Sequence, residues 1–167
     1  MSARFPLLLT LIVAAQATLG CAVPPPEQSN TPASVRDTLV GTVAEVGSLP
    51  ATWISLRPSD GSRSITLLGA AAAALSMLTG AEVWVEGSRS TQGLEVSRFV
   101  VRGINGQPVD DGTVATKGAE WGIQLTGGGW RSVSLPSPEL TALVGQRVWI
   151  SRPPPDRTAS FGVIRAN

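Results

Sequence analysis

The chain contains few of the side chains that carry out covalent or metal chemistry. Among its 167 residues there is no His, one Cys (Cys21) and one Lys (Lys117), and Lys117 stands in a Thr-Lys-Gly sequence typical of a solvated turn. Without imidazole a Ser-His-Asp triad cannot form, and a zinc site lacks its usual nitrogen ligands. This inventory predicts a protein that is not an enzyme and that holds no metal or cofactor.

Two adjacent carboxylates, Asp110 and Asp111, precede Gly112. Carboxylate oxygens are the ligands that Ca²⁺ prefers, but Asp and Gly together are also typical of tight turns. We therefore expect an exposed turn at this position and no metal site.

The N-terminus resembles the signal sequence of bacterial lipoproteins. Arg4 precedes an apolar run over residues 5–15, which is too short to span a bilayer. Thr18-Leu19-Gly20-Cys21 then resembles the lipobox, in which the family usually has Leu where this chain has Thr18. The resemblance implies that residues 1–20 are a signal peptide and that Cys21 is lipidated and becomes the first mature residue.

The residues around Cys21 leave one alternative for its processing. Ala15-Gln16-Ala17 is typical of an ordinary signal-peptidase site, and cleavage there would release a soluble chain with a free thiol. With lipidation, Ala22 after the cysteine implies an outer membrane, facing the periplasm, where the envelope has one. Residues 21–37 contain Pro24-Pro25-Pro26 and no apolar period, which predicts a tether between the lipid and the folded part.

The charge balance argues against a polyanionic partner. The chain has 13 basic and 12 acidic residues, and removal of Arg4 with the signal peptide leaves 12 of each. A neutral, exported protein has no long-range field that attracts nucleic acid. We therefore expect a membrane contact through Cys21 and no nucleic-acid partner.

Five short sequence matches recur in one order along the mature chain, which predicts two tandem copies over residues 38–104 and 111–167. The matched segments are Gly41–Ala44 with Gly112–Ala115, Ile54–Leu56 with Ile123–Leu125, Arg63–Leu67 with Arg131–Leu135, Leu78–Val85 with Leu143–Ile150, and Val100–Arg102 with Val163–Arg165. Residues typical of strands and turns dominate both copies, apart from one short helical segment in each.

Each copy is predicted to form three strands, a short helix and two further strands. In the third strand, Ile65 and Leu67 of the first copy alternate onto one face, as do Val133 and Leu135 of the second. The helix of the second copy is predicted to begin after Ser137, which has the side chain of an N-cap.

This element order, with Leu-x-Gly-x-x-Val-x-Val over residues 78–85, resembles the small OB-like domains of bacterial envelope proteins, many of them of unknown function. The resemblance implies an all-β fold with one short helix per repeat, built as two tandem small OB-like β-barrels. An SH3-like barrel is the alternative. A barrel of about 60 residues buries only about 60% of its unfolded surface, so we expect the two copies to pack together.

OB barrels usually bind ligands on the face of their second and third strands and on the neighbouring loops. The Trp and Arg residues of those elements form the candidate ligand-binding set: Trp53, Arg57, Arg63, Trp121, Trp130 and Arg131. Trp130 follows a glycine turn and breaks the apolar alternation of its strand. It is therefore expected to be either an exposed binding aromatic or a ring that covers a barrel end or an interface. Trp84 and Trp149 recur between apolar neighbours and are expected to pack internally.

Together these patterns predict an envelope lipoprotein that binds a protein or glycan partner near the membrane without catalysing a reaction. A purely structural or assembly subunit, with its Trp residues buried, is the alternative. A single-stranded nucleic-acid-binding OB protein is a third hypothesis, which the neutral charge and the export signal disfavour.

Overall fold

Ten β-strands dominate the computed structural model, which describes residues 36–153 and 157–165. Strands hold 57% of these residues and helices 10%, which confirms the predicted all-β class. The described residues form one compact unit. The predicted signal peptide, Cys21 and nearly all of the predicted tether lie outside the described residues.

The same order of elements occurs twice along the described chain. The first half contains β1 (Arg36–Ser48), β2 (Ala51–Pro58), β3 (Ile65–Leu68), α1 (Ala70–Leu75, continued by a 3₁₀ turn over Ser76–Leu78), β4 (Glu82–Arg89) and β5 (Leu94–Ile104). The second half contains β6 (Gln107–Lys117), β7 (Glu120–Leu125), β8 (Trp130–Ser132), α2 (Pro138–Thr141), β9 (Arg147–Ser151) and β10 (Phe161–Val163).

The two halves differ in how their strands pair. In the first half the pairings form a closed ring, β1–β2–β3–β5–β4 and back to β1, in which the β3–β5 pair is parallel and the others are antiparallel. In the second half the order is β8–β7–β6–β9–β10, and among the described residues β8 and β10 do not pair. The β5–β6 hairpin joins both halves into one ten-stranded sheet.

Each half has an apolar core built mainly from the inward faces of its strands and from its helix, and Val109 and Ile164 of the second half pack into the core of the first. Fully buried side chains of the first core are Val43, Leu56, Leu75, Val83, Val85, Leu94 and Val101. The second core is smaller and is built on Val114, Ile123, Leu140, Val148 and Ile150. Partly buried neighbours, Phe161 and Val163 among them, complete it.

The start of α2 and the segments after both helices are set by residues typical of helix ends, a capping serine and two glycines. The Ser137 hydroxyl accepts a hydrogen bond from the Leu140 N–H at 3.3 Å, so the predicted N-cap is present at the start of α2. Gly80 and Gly145 follow the helices of the two halves at φ +86° and +81°, a conformation that favours glycine. Each turns the chain back into the sheet with an N–H bond of 2.8 Å to a carbonyl, that of Val43 or of Val114.

The cross-strand register shows which positions of the two halves correspond. Val43 faces Leu56, and its counterpart Val114 faces Ile123. Leu56 therefore corresponds to Ile123 and not to Leu125, and the predicted match of the second strands was wrong by two residues. A shift of two leaves the same face of a strand buried, so the alternation of side chains does not reveal it.

The third strands of the two halves also correspond differently from the prediction. Ile65 faces Leu56 and Arg131 faces Ile123, so Arg131 takes the position of Ile65 rather than that of Arg63. The prediction that Leu135 shares one face of the third strand with Val133 was wrong, because the chain leaves the sheet after Val133 and Leu135 is 68% exposed.

Candidate functional site

The structure divides the predicted ligand-binding residues between the two halves. Trp53 and Arg57 are exposed on β2, and Arg63 is exposed in the loop before β3. The other three lie in the second half, Trp121 on β7 and Trp130 and Arg131 on β8, and are partly buried. Within the described chain β2 and β3 do not pair with β7 or β8, so no single sheet face carries all six residues.

Trp53 and Trp130 both lie against a glycine but differ in exposure. Trp130 is partly buried, and its ring lies so close to Gly122 that a Cβ there would be 2.5 Å from Cζ2. Trp130 thus covers a glycine of the neighbouring strand. Trp53 is 47% exposed, and it is the most exposed Trp of the described residues.

Arg131 is held by an acidic side chain of the same half. Its guanidinium contacts the Asp110 carboxylate and donates a 3.0 Å bond to the Ser151 carbonyl. Arg152 donates to the same carboxylate at 2.9 Å, and that hydrogen bond and charge raise the pKa of Arg152 above its usual value. By strand register, Leu39 and Ile65 take the places of Asp110 and Arg131 in the first half, so a charged cluster replaces apolar side chains.

A second ion pair, between Asp111 and Arg147, joins the two halves. One oxygen of the buried Asp111 carboxylate accepts from the Val101 N–H at 2.8 Å and from Arg147 Nη2 at 2.6 Å. The other accepts from Arg147 Nε and from the Thr126 hydroxyl, both at 2.8 Å. Arg147 also donates to the Phe99 carbonyl at 2.7 Å and lies 4.3 Å from the Phe99 ring centre. Each oxygen of the buried Asp111 carboxylate therefore accepts two hydrogen bonds.

These contacts correct the prediction for Asp110 and Asp111. Both lie within β6 and are buried, at 8% and 3% exposure, rather than in an exposed turn. Their oxygens bind arginines, and among the described residues no cluster of three or more His, Cys, Asp or Glu side chains forms a metal site.

A groove of about 590 Å³ lies beside this ion pair, between α1, β5 and the end of the second half. Its apolar surface is contributed by Ala70, Ala71, Ala74, Val96, Phe99 and Ile164. Its polar rim consists of Glu95, Ser97, Arg98, Thr126, Arg147 and Arg165. The volume falls within the range of about 300–1,000 Å³ that is usual for ligand sites.

The charge of the groove is slightly positive. Arg147 is neutralised by Asp111, which leaves Arg98 and Arg165 against the carboxylate of Glu95. Arg98 is oriented by a 3.0 Å bond to the Thr126 carbonyl and by the Trp84 ring, 5.6 Å away. Glu95 lies against Gly69, at the start of α1. The groove thus offers an apolar floor and a cationic rim.

Comparison of the chain with protein-family models, with curated proteins and with solved structures finds no match. In the described residues, no helix has both the length and the apolar character needed to cross a membrane.

Sequence reasoning missed this groove, although two signals pointed to it. The alanine run over residues 70–74 supplies the small side chains that leave space above β5. The longest repeat match aligns Arg147 with Glu82, a reversal of charge within an otherwise apolar motif. Such a reversal indicates a contact that one copy makes and the other does not.

Proposed function

We propose that this chain is a lipid-anchored envelope protein whose folded part is a non-enzymatic binding module for a protein partner. The observation that carries the proposal is the groove between the two halves. Its walls are fixed before any ligand arrives, because the Asp111–Arg147 pair binds β5 through Phe99 and Val101. A preorganised groove loses little conformational entropy when a ligand binds.

The strand pairing supports an OB-like architecture for this module. Five strands of the first half form a closed ring in the order β1–β2–β3–β5–β4, and a helix lies between the third and fourth strands along the chain. We infer that this arrangement is an OB-like barrel. The second half has the same element order without the closing pair, and we infer that it is an opened copy of the same unit.

The composition of the groove favours a protein segment over a glycan. Sugars bind by stacking on a free aromatic face, and the aromatic ring of this groove, Phe99, is already covered by the Arg147 guanidinium. Ala, Val and Ile side chains suit apolar side chains of a partner, and Arg98 and Arg165 suit its carboxylates. We therefore infer a partner segment that combines apolar and acidic residues.

The lipidated Cys21 supplies the membrane attachment in this proposal. Intact-mass measurement of the chain from the membrane fraction tests it. Acyl chains on a mature N-terminus at Cys21 support the anchor, and an unmodified N-terminus at Thr18 contradicts it.

The groove is tested by filling it. Ala71→Trp places a large ring in the groove, and the exposed Ala119→Trp, in the β6–β7 turn, is the matched control. A partner is first identified by photo-crosslinking from position 71 and purified, and its affinity for each variant is then measured by calorimetry. We expect Ala71→Trp to weaken binding by roughly tenfold or more and Ala119→Trp to leave it unchanged. Equal affinities for both variants would exclude the groove as the binding site.

A further inference from the structure

The first hairpin extends beyond the rest of the sheet. β1 pairs with β4 through Arg36–Thr42, and β2 pairs with β3 at Ser55 and Leu56. Beyond these points the two strands pair with each other as far as Ser48 and Ala51. Among the described residues no third strand pairs with 44–48 or with 51–54. We name residues 44–54 the hairpin arm.

The end of the hairpin arm is apolar, exposed and uncharged. Val46 and Trp53 face each other across the two strands and are 38% and 47% exposed. Leu49, in the turn, is 89% exposed. No Asp, Glu, Lys or Arg occurs between residues 46 and 56. An exposed cluster of this kind on a monomer is typical of an interaction site.

The second half shows that the fold does not require this cluster. At the rung that corresponds to Val46 and Trp53, the β6–β7 hairpin has Lys117 opposite Glu120, and the chain turns immediately after it. The hairpin therefore forms equally well with a charged, solvated pair at this rung. The apolar pair and the longer turn of the hairpin arm need a different explanation.

We propose that the hairpin arm lies in the lipid–water interface of the bilayer to which Cys21 attaches the chain. This inference rests on the proposed lipid anchor. Trp and Leu side chains favour the interface, and the tip has no charged group that must lose its hydration there. Its unpaired outer N–H and C=O groups confine the arm to the interface, because they cannot be buried in hydrocarbon without hydrogen-bond partners.

The chain between the anchor and the fold is long enough for this contact. At about 3.4 Å per residue, the segment from Cys21 to Arg36 spans at most about 50 Å. β1 has 13 residues and is about 43 Å long, at about 3.3 Å per residue. The tip therefore reaches the bilayer even when β1 stands perpendicular to it. Attachment at Cys21 also raises the local concentration of lipid around the tip.

The test uses Trp fluorescence of the mature lipidated chain in phosphatidylcholine vesicles that contain doxyl-labelled lipid. One of the five Trp residues is in the hairpin arm, so we expect quenching of about one fifth of the emission. Trp53→Phe keeps the arm apolar and is expected to remove this quenched component. Equal fractional quenching of the wild type and Trp53→Phe would overturn the proposal.

A second variant tests the apolar rung itself. Val46→Lys/Trp53→Glu copies the Lys117–Glu120 rung, which the same sheet already accommodates. Backbone amides of residues 44–54 are expected to exchange more slowly in vesicles than in buffer in the wild type and at equal rates in this double variant. Equal exchange of the wild type in vesicles and in buffer would overturn the proposal. A second outcome would also overturn it. If light scattering in detergent shows a wild-type dimer that the double variant does not form, the arm contacts a second copy rather than the bilayer.

Failure of the anchor is distinguished by Cys21→Ser. This variant lacks the lipid, and we expect it to need at least roughly tenfold more vesicles for the same Trp53 quenching. Should the wild type itself be unlipidated, titration with the same vesicles still decides the inference. Quenching that Trp53→Phe removes would support the arm contact, and no quenching at saturating lipid would overturn it.

Discussion

The two halves of the sheet follow one order of elements but complete it by different means. In the first half, Leu67 pairs with Leu94 in parallel, and both side chains are buried, so β3 and β5 close the ring. In the second half, the chain leaves the sheet after Val133, and β10 has three residues where β5 has 11. Over its described residues the second half therefore keeps an open edge, and its apolar core is smaller.

The open half compensates with charged side chains directed at its neighbour. Its register places Asp111 where the first half has Val40, and Arg147 where it has Glu82. These two residues bind the backbone of β5 at Phe99 and Val101. One half is thus closed by its own strands, and the other contacts the first through these polar groups and through apolar side chains such as Val109 and Ile164.

The largest expected effect comes from removing the carboxylate that joins the halves. Asp111→Ala leaves the Arg147 guanidinium and the Val101 N–H without their acceptor. Loss of one partner of a buried ion pair costs about 3–5 kcal/mol of unfolding free energy. Urea unfolding measures this.

Asp37→Ala is the matched control for Asp111→Ala. It breaks the pair with Arg89, whose side chain is 52% exposed, and exposed pairs contribute about 1 kcal/mol or less. Similar losses in the two variants would show that the Asp111 pair does not hold the halves together.

The next effect tests the closure of the first half. Leu94→Ala removes a fully buried side chain from the β3–β5 closure, and we expect a loss of about 3 kcal/mol. Leu135→Ala, in the segment of the second half that leaves the sheet, is expected to change stability by less than about 0.5 kcal/mol. Both are measured by urea unfolding. A comparable loss for Leu135→Ala would mean that the second half also closes in solution.

The order of elements was predictable because its signals are local. The Ser137 cap, the glycines after both helices and the alternation of each strand depend on residues within a few positions of one another. Strand closure depends on the pairing of segments about 30 residues apart, and the pattern of Leu135 resembles that of a buried strand. The sequence therefore predicted five strands per half and did not distinguish the open half from the closed one.

The candidate site was less predictable, because its polar contacts are distant in sequence. Asp110 and Asp111 have the composition of a turn, and the arginines that bury them are 21 to 42 residues further along the chain. The exposure of Trp130 depends on Gly122 in the neighbouring strand. Arg131 was predicted as a ligand-binding residue, and its ion pair with Asp110 was not foreseen.

A third prediction concerns a feature that the halves share. A Cβ on Gly41 would lie 2.2 Å from the Arg57 carbonyl oxygen, and one on Gly112 would lie 2.3 Å from that of Gln124. Both substitutions to Ala are expected to cost about 1–3 kcal/mol, because the backbones of two strands must separate. Thermal unfolding of both variants measures this.

Gly127→Ala is the control for the two strand glycines. A Cβ there meets no atom within 4 Å, so we expect little change in stability. A large loss for Gly41→Ala with none for Gly112→Ala would mean that the open half tolerates the separation of its strands and the closed half does not.

The smallest expected effect is a difference in the pH dependence of stability between corresponding residues of the two hairpins, Glu120 and Trp53. The Ser132 hydroxyl donates to the Glu120 carboxylate and lowers the pKa of Glu120 below its usual 4.5, whereas Trp53 stands at that position in the first half and does not titrate. A carboxyl group whose pKa is lower in the folded state stabilises the fold above its unfolded pKa. That contribution is lost as the pH falls through the folded pKa.

We therefore expect Glu120→Gln to lower the urea midpoint slightly at pH 7 and to leave it unchanged at a pH below the folded pKa. Trp53→Phe is expected to shift the midpoint equally at both pH values. An equal shift for Glu120→Gln at both values would show that Ser132 does not stabilise the ionised carboxylate, and the difference between the two hairpins would then be one of polarity alone.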